Sequence, residues 1–473
     1  MNFVSWAFVA LFGLVLLARL TIGRRSVEPV FVAALIVASV VFYAWHIPVY
    51  LGILWLSSSI DYWAGRALAR LPSQARGRRR TVLAVSLCTN LGLLAFFKYA
   101  GFFLQVGRDV LGPAHAASLP PELALALPMG ISFYTFQSMS YTIDVYRGVL
   151  APVRRFWPFF LFVGFFPQLV AGPIVRAAEF LPQMPRPRRL RESVFYEGMW
   201  LIISGFFLKM VCADNLGMYV DEYWERGTRP DTGSGFALWL ALMFSGQIFA
   251  DFAGYTNIAR GTAYLLGYRL PVNFNAPYLA TSFKNFWERW HMTLSRWLRD
   301  YLYISLGGNR HGPVRTYVNL MLVMLLGGLW HGAAYTFIIW GALHGVALAV
   351  ERALGLNRAR GWTAAWPVRG VWFLIVQALV LVAWVFFRSR SLGEALRFLD
   401  NLVSMGGWSL GTTEWVGVLF LVPIVAHHGF VCLRERRVVP PLSPATRAVL
   451  AAAMVYAIAT LYTSTAEFIY FQF

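Results

Sequence analysis

Apolar residues along this chain fall into blocks of about 20, the length that crosses bilayer hydrocarbon as a helix. Short polar stretches rich in arginine and glycine separate them. Ten blocks read as spanning helices: 3–20, 30–47, 49–68, 82–104, 123–146, 195–213, 234–255, 368–388, 414–433 and 445–468. The first, Phe3 to Leu20, has neither a preceding basic region nor a small-residue cleavage site after it. It therefore reads as a retained helix and not as a secretory signal.

Two apolar regions do not fit as single crossings. Residues 156–175 and 316–350 each have basic residues on both sides, Arg154–Arg155 with Arg186–Arg191, and Arg310/Arg315 with Arg352/Arg358. A segment that begins and ends on one side dips in and returns. Each half of 316–350 reads as shorter than a span, which predicts a re-entrant hairpin. Its midpoint, Gly327-Gly328-Leu329-Trp330-His331-Gly332, then sits at membrane depth, where non-helical backbone needs protein or a water-filled cavity around it.

Residues 268–315 are too polar to span. Within them, 283–302 (FKNFWERWHMTLSRWLRDYL) carries Phe283, Phe286, Trp287, Trp290, Leu294, Trp297, Leu298 and Tyr301 on one helical stripe. Glu288, Arg289, Arg296, Arg299 and Asp300 fall opposite. This pattern predicts an amphipathic helix lying in the membrane interface. His291 lies at the edge of the apolar stripe.

Composition agrees with the pattern. Of 473 residues, 58% are hydrophobic and 13% charged, with mean hydropathy +0.57, whereas a water-soluble domain carries about 25% charged residues. The net charge of +19 does not indicate a nucleic-acid partner, because the arginines cluster in short loops at Arg24–Arg25, Arg76–Arg80, Arg154–Arg155, Arg186–Arg191 and Arg434–Arg437. That is the bias of cytoplasmic loops. It predicts both termini outside the cytoplasm, as does the acidic stretch 214–232 (Asp214, Asp221, Glu222, Glu225), read as an outside loop. Cys88, Cys212 and Cys432 show no metal spacing and read as buried free thiols.

Eight histidines are the candidates for chemistry. His46 at a helix end, His115 in an outside loop and His427–His428 within a spanning helix read as interfacial or packed residues. His311, in a Gly-rich turn with Arg310, is a weak phosphate signal. His331 stands apart, since an ionisable side chain inside a membrane defaults to a functional hypothesis. Glycines on both sides permit close approach of a ligand, and a neutral imidazole takes a proton from a hydroxyl as a general base. The competing reading is a histidine that hydrogen-bonds neighbouring helices. His344, 13 residues on, falls on roughly the opposite helix face. No G-x-S-x-G, P-loop or H-E-x-x-H is present, and nothing marks a nucleophile for a covalent acyl-enzyme. Asp251, in an apolar run, reads as a structural partner of Arg260 or a cap for a broken helix, with a proton or substrate path as the sharper alternative.

The stretches FWERWHMTLSRWLRDYLYISLGGNR (286–310) and LLGGLWHGAAYTFIIWGALHG (325–345) resemble the membrane-bound O-acyltransferase family, in its bacterial alginate O-acetyltransferase membrane-subunit branch. LPMGISFYTFQSMSYTIDVYRG (127–148), FFPQLVAGPIVR (165–176) and FIYFQF (468–473) are similar to that branch too. The resemblance implies an all-α, polytopic membrane enzyme, a single domain over 1–473 with a central tunnel. It implies that His331, the histidine of the WHG motif, is catalytic and that His291 is the second important position, lining the donor path. The implied donor is acetyl-CoA or an acyl-carrier thioester, with no permanently bound cofactor. The implied acceptor is alginate, another exopolysaccharide or the cell wall, reached through an extracytoplasmic acetyltransferase partner from the bacterial inner membrane.

Two other function classes compete. A transporter or flippase for a lipid or sugar precursor would use His331 as a proton relay, and inverted repeats with matched broken helices would mark it; the sequence shows none. A structural subunit that recruits a soluble enzyme would tolerate replacement of both histidines.

Overall fold

In lipid a chain must satisfy its backbone internally, so apolar blocks become helices. The computed structural model describes residues 1–22, 28–45, 47–112, 120, 126–169, 172–185, 187, 189–358, 361–404, 406–407, 411–463 and 468–469, and no strand occurs among them. His46, His115, Arg24–Arg25 and most of 468–473 lie outside the described residues.

The helices are α1 Trp6–Ile22, α2 Glu28–Ala44, α3 Leu51–Arg70, α4 Arg76–Leu94, α5 Ala100–Leu111, α6 Ile131–Arg147, α7 Phe156–Gly164, α8 Phe166–Leu169, α9 Ala177–Phe180 and α10 Glu192–Phe206. They continue with α11 Asp214–Tyr223, α12 Ser234–Leu265, α13 Phe283–Arg289, α14 Met292–Trp297, α15 Gly312–His331, α16 Tyr335–Ala353, α17 Trp366–Arg388, α18 Leu392–Val403, α19 Thr412–Leu419, α20 Val422–Glu435 and α21 Pro444–Leu461. Among the described residues, seven helices are long and apolar enough to cross a membrane: Arg76–Leu111, Glu192–Tyr223, Ser234–Leu265, Gly312–His331, Trp366–Arg388, Glu414–Glu435 and Pro444–Leu461. Trp6–Thr21 and Pro29–Ala44 are apolar but shorter.

The chain divides into two compact units, Met1–Ile202 with Ile258–Pro271, and Ile203–Asn257 with Val272–Phe473. In the first, a polar knot ties α3, α4 and α6 together. Asp61, fully buried, accepts hydrogen bonds from Ser86, from Thr142 Oγ1 at 2.8 Å and from Asn90 Nδ2 at 2.8 Å. Asn90 Oδ1 in turn accepts from Ser57 at 2.7 Å. Three donors on one buried carboxyl offset the cost of taking it out of water. Residues 156–169 form two short helices, α7 and α8. The nine residues of α7 rise only about 14 Å, too little to cross.

In the second unit, Lys209 Nζ sits 2.7 Å from Asp214 and 2.8 Å from Asp251, all three buried. Asp251 therefore pairs with Lys209 and not with Arg260. Its other oxygen accepts from the Ile469 backbone N–H at 2.7 Å. Asp214 does not begin an outside loop. The helix simply continues through a π turn at Phe207–Ala213 into α11, because a buried lysine requires the carboxylate beside it. Of the thiols only Cys212 is buried; Cys88 is exposed and Cys432 half-buried.

The segment 316–350 forms two antiparallel helices, α15 and α16, joined at Gly332–Ala334. The 20 residues of α15 measure about 30 Å, long enough to span, so its length does not hold His331 at half depth. The helices meet at their glycines, where a Cβ on Gly328 would strike the Phe337 carbonyl and one on Gly341 the Met324 carbonyl. That close approach brings the end of α15, and His331 with it, against α16.

Candidate active site

His331 ends α15 and is 3% exposed. Its ring packs edge-on against Trp340 at 5.0 Å, Trp330 at 5.1 Å and Phe387 at 5.4 Å between centroids. His291 faces it from the other chain segment, 6.3 Å away with planes inclined at 60°.

The stretch carrying His291 is not one continuous helix. It breaks between α13 and α14, with His291 itself at φ 39, ψ 53, a left-handed conformation that a side-chain-bearing residue rarely adopts. Such strain persists only where the surroundings over-determine it. Residues 273–275 supply that hold. Met292 N–H donates to Asn273 O at 2.9 Å and Asn275 N–H donates to Arg289 O at 3.0 Å, so an extended strip bridges the gap left by the helix. Nor does the aromatic stripe lie in lipid. Phe286, Trp290, Leu294, Trp297 and Tyr301 are buried in the protein, while Lys284, Glu288, Arg296 and Arg299 are exposed. The amphipathic pattern is right, but its apolar face is filled by His344, Trp340 and Trp384 from α16 and α17. At the head of α13, Ser282 and the buried Glu351 cap the first N–H groups, Glu351 taking those of Phe283 and Lys284.

Asn273 is the residue that sequence reasoning missed. Its Oδ1 accepts from Thr293 N–H at 3.2 Å, Thr293 Oγ1 at 2.8 Å and His291 Nδ1 at 3.1 Å. The backbone N–H fixes that atom as oxygen, so Nδ1 of His291 carries the proton and Nε2 presents a lone pair. Nε2 is buried and makes no protein hydrogen bond. Burial pushes this imidazole down to about 3, which keeps it neutral. Phe252 packs edge-on against His291 at 4.7 Å, and Phe468, at 5.7 Å from Phe252, closes that side.

The remaining histidines divide by surroundings. His344 is fully buried, stacked on Phe286 at 5.8 Å and edge-on to Trp340 at 4.8 Å. It shares Trp340 with His331 without touching it. His428 stacks on Tyr278, and its Nδ1 donates to Ile424 O at 2.8 Å, as a packed residue does. His311 sits in the exposed turn beside Gly307.

A cleft of about 560 Å3 runs from exposed basic residues (Lys284, Arg296, Arg299, Arg352) to Trp287 and Met292. Trp287 also contacts His344 and Trp340, so one layer of rings separates the cleft from His331. Both imidazoles are buried, and on the cleft side Trp287 and Trp340 stand between solvent and His331.

Residues 154–392, which hold both histidines, match the family model for membrane-bound O-acyltransferases. The chain is 40% identical to "Probable alginate O-acetylase AlgI" of Pseudomonas aeruginosa, over 83% of this chain and 74% of that protein. It is 38% identical to a peptidoglycan O-acetyltransferase of Helicobacter pylori over 80% and 74% of the two. A teichoic acid D-alanyltransferase of Bacillus subtilis is 30% identical over 48% of this chain and 60% of its own length. With its apolar helices, this is a multi-pass membrane protein. It belongs to the membrane-bound O-acyltransferase family, in the alginate O-acetyltransferase branch, and is an O-acyltransferase.

Proposed function

We propose that the chain moves an acyl group, acetyl by analogy with its relatives, from a cytoplasmic thioester to a polysaccharide outside the cytoplasm. The observation that carries this reading is the meeting of two buried imidazoles, His291 and His331, at 6.3 Å. His331 takes the proton of the acceptor hydroxyl as its oxygen attacks the thioester carbonyl. The C–O bond forms, the C–S bond breaks, and the imidazolium returns the proton to the leaving thiolate. His291, with its Nε2 lone pair, lines the donor side. The rim of the cleft sets Lys284, Arg296, Arg299 and Arg352 against Glu288, a net positive set that suits the phosphates of coenzyme A or of a carrier's phosphopantetheine.

In this reading the protein lies in the inner membrane with both termini outside the cytoplasm. An extracytoplasmic acetyltransferase completes delivery to alginate, another exopolysaccharide or the cell wall. The test is purified protein with labelled acetyl-CoA, and separately with a labelled acyl-carrier protein, followed by identification of the labelled product. Label in a polysaccharide hydroxyl ester is the expected result. Transfer from neither donor, by protein that is folded, contradicts the proposal.

A further inference from the structure

The first unit holds a second polar cleft, of about 470 Å3, lined by side chains from the start of α10, the end of α12 and the turn after it. Glycines set its geometry. A Cβ on Gly261 would lie 2.7 Å from Gly198 O and 3.0 Å from Ile202 N, so α10 and α12 cross almost in backbone contact there. The residues just before these glycines, Glu197 and Arg260, are thereby brought to one level and interact electrostatically, and both line the cleft.

Arg269 forms the opposite rim and is held unusually firmly for an exposed arginine. Gln183 grips its backbone from both sides. Oε1 accepts from Arg269 N–H at 2.8 Å, and Nε2 donates to Arg269 O at 3.1 Å. The guanidinium donates to Tyr264 OH at 3.1 Å and lies over that ring at 5.5 Å. Fixing a side chain in place removes much of the entropy that a bound ion would otherwise have to repay.

Two guanidinium groups against one carboxylate leave the cleft net positive, and the planar fork of arginine matches phosphate oxygens pairwise. Ser193 and Tyr264 add hydroxyls, while Leu201 and Leu270 give the cleft an apolar wall. We propose that this cleft binds a phosphate ester of net negative charge, with Arg269 as its principal ligand and Arg260 beside it. The chemistry is shared by a phospholipid headgroup and a soluble phosphate ester, and it stands independently of any role for His331.

The experiment uses the full chain in zwitterionic detergent and follows thermal unfolding during titration with phosphatidylglycerol, phosphatidylcholine or glycerol phosphate. Saturable stabilisation by phosphatidylglycerol and not by phosphatidylcholine is expected. Arg269→Gln should raise the half-saturating concentration about tenfold, the loss of one charge-assisted contact. Glu197→Gln should lower it, a change of opposite sign that a generally weakened fold would not produce. Response to glycerol phosphate as well identifies a site for free phosphate esters, and response to the lipid alone a headgroup site. Equal responses to the two lipids, or an Arg269→Gln curve that overlays the wild type, would overturn the proposal.

Discussion

His291 and Asn273 share one hydrogen bond, Nδ1–H to Oδ1 at 3.1 Å, and it decides the tautomer of an imidazole with no exposed surface. His291 lies in a connection outside the helices long enough to cross the membrane, and burial pushes it from 6.5 down to about 3.

That shift has a sign that can be measured. The unfolded chain protonates this histidine below about pH 6.5, while the folded chain keeps it neutral down to about pH 3. Between these limits the unfolded state binds the extra proton, so stability falls as pH falls. The contribution at pH 5 is about 2 kcal/mol. Thermal unfolding of wild type and His291→Asn from pH 7.5 to 5 should show a steeper loss for the wild type. Parallel curves would remove the buried neutral imidazole from the account.

The two histidines were legible in the sequence because each sits in a long ordered motif, and the structure brings their rings together. The aromatic stripe was legible as a stripe, since spacing reports which residues share a face. What covers that face was not. Trp290 is hidden by Trp384, 94 positions later, and spacing along one segment carries no information on that. The left-handed turn at His291 escaped for a related reason. It is held by Asn273 across an extended strip, and nothing local to Trp290-His291-Met292 signals a break. Asp251 reads from the sequence as a partner of Arg260 or a helix cap; its partner is Lys209, a neighbour that spacing along one segment does not report.

Trp287 separates the basic cleft from the rings around His331. Trp287→Ala removes that layer and should widen the set of accepted thioesters. Rates with propionyl- and butyryl-CoA should rise relative to acetyl-CoA, by roughly tenfold for each methylene or two newly admitted. An unchanged ratio across the acyl series would place the donor path elsewhere.

Lys209 is the cation between two buried carboxylates at 2.7 and 2.8 Å. Lys209→Met leaves both without it and should cost about 3–5 kcal/mol. Adding Asp214→Asn and Asp251→Asn to the same chain should restore much of that loss, as read from unfolding in detergent. A triple variant no more stable than Lys209→Met would mean that the cluster is not coupled.

Gly341 lets α16 approach α15 because its missing Cβ would strike the Met324 carbonyl. Gly341→Val should push the helices apart at a cost of about 1–3 kcal/mol. It should also lower activity, since His331 depends on the same contact. Full activity with a lowered unfolding temperature would separate the hairpin from the site.

The proposed catalytic role of His331 is tested most directly by single-turnover acyl transfer from labelled thioester to acceptor, comparing wild type with His331→Ala and His331→Gln in protein shown by unfolding to be folded. The account predicts that transfer falls by at least about a hundredfold, the contribution of a positioned general base, with donor binding retained. Transfer at the wild-type rate by either folded variant would contradict it.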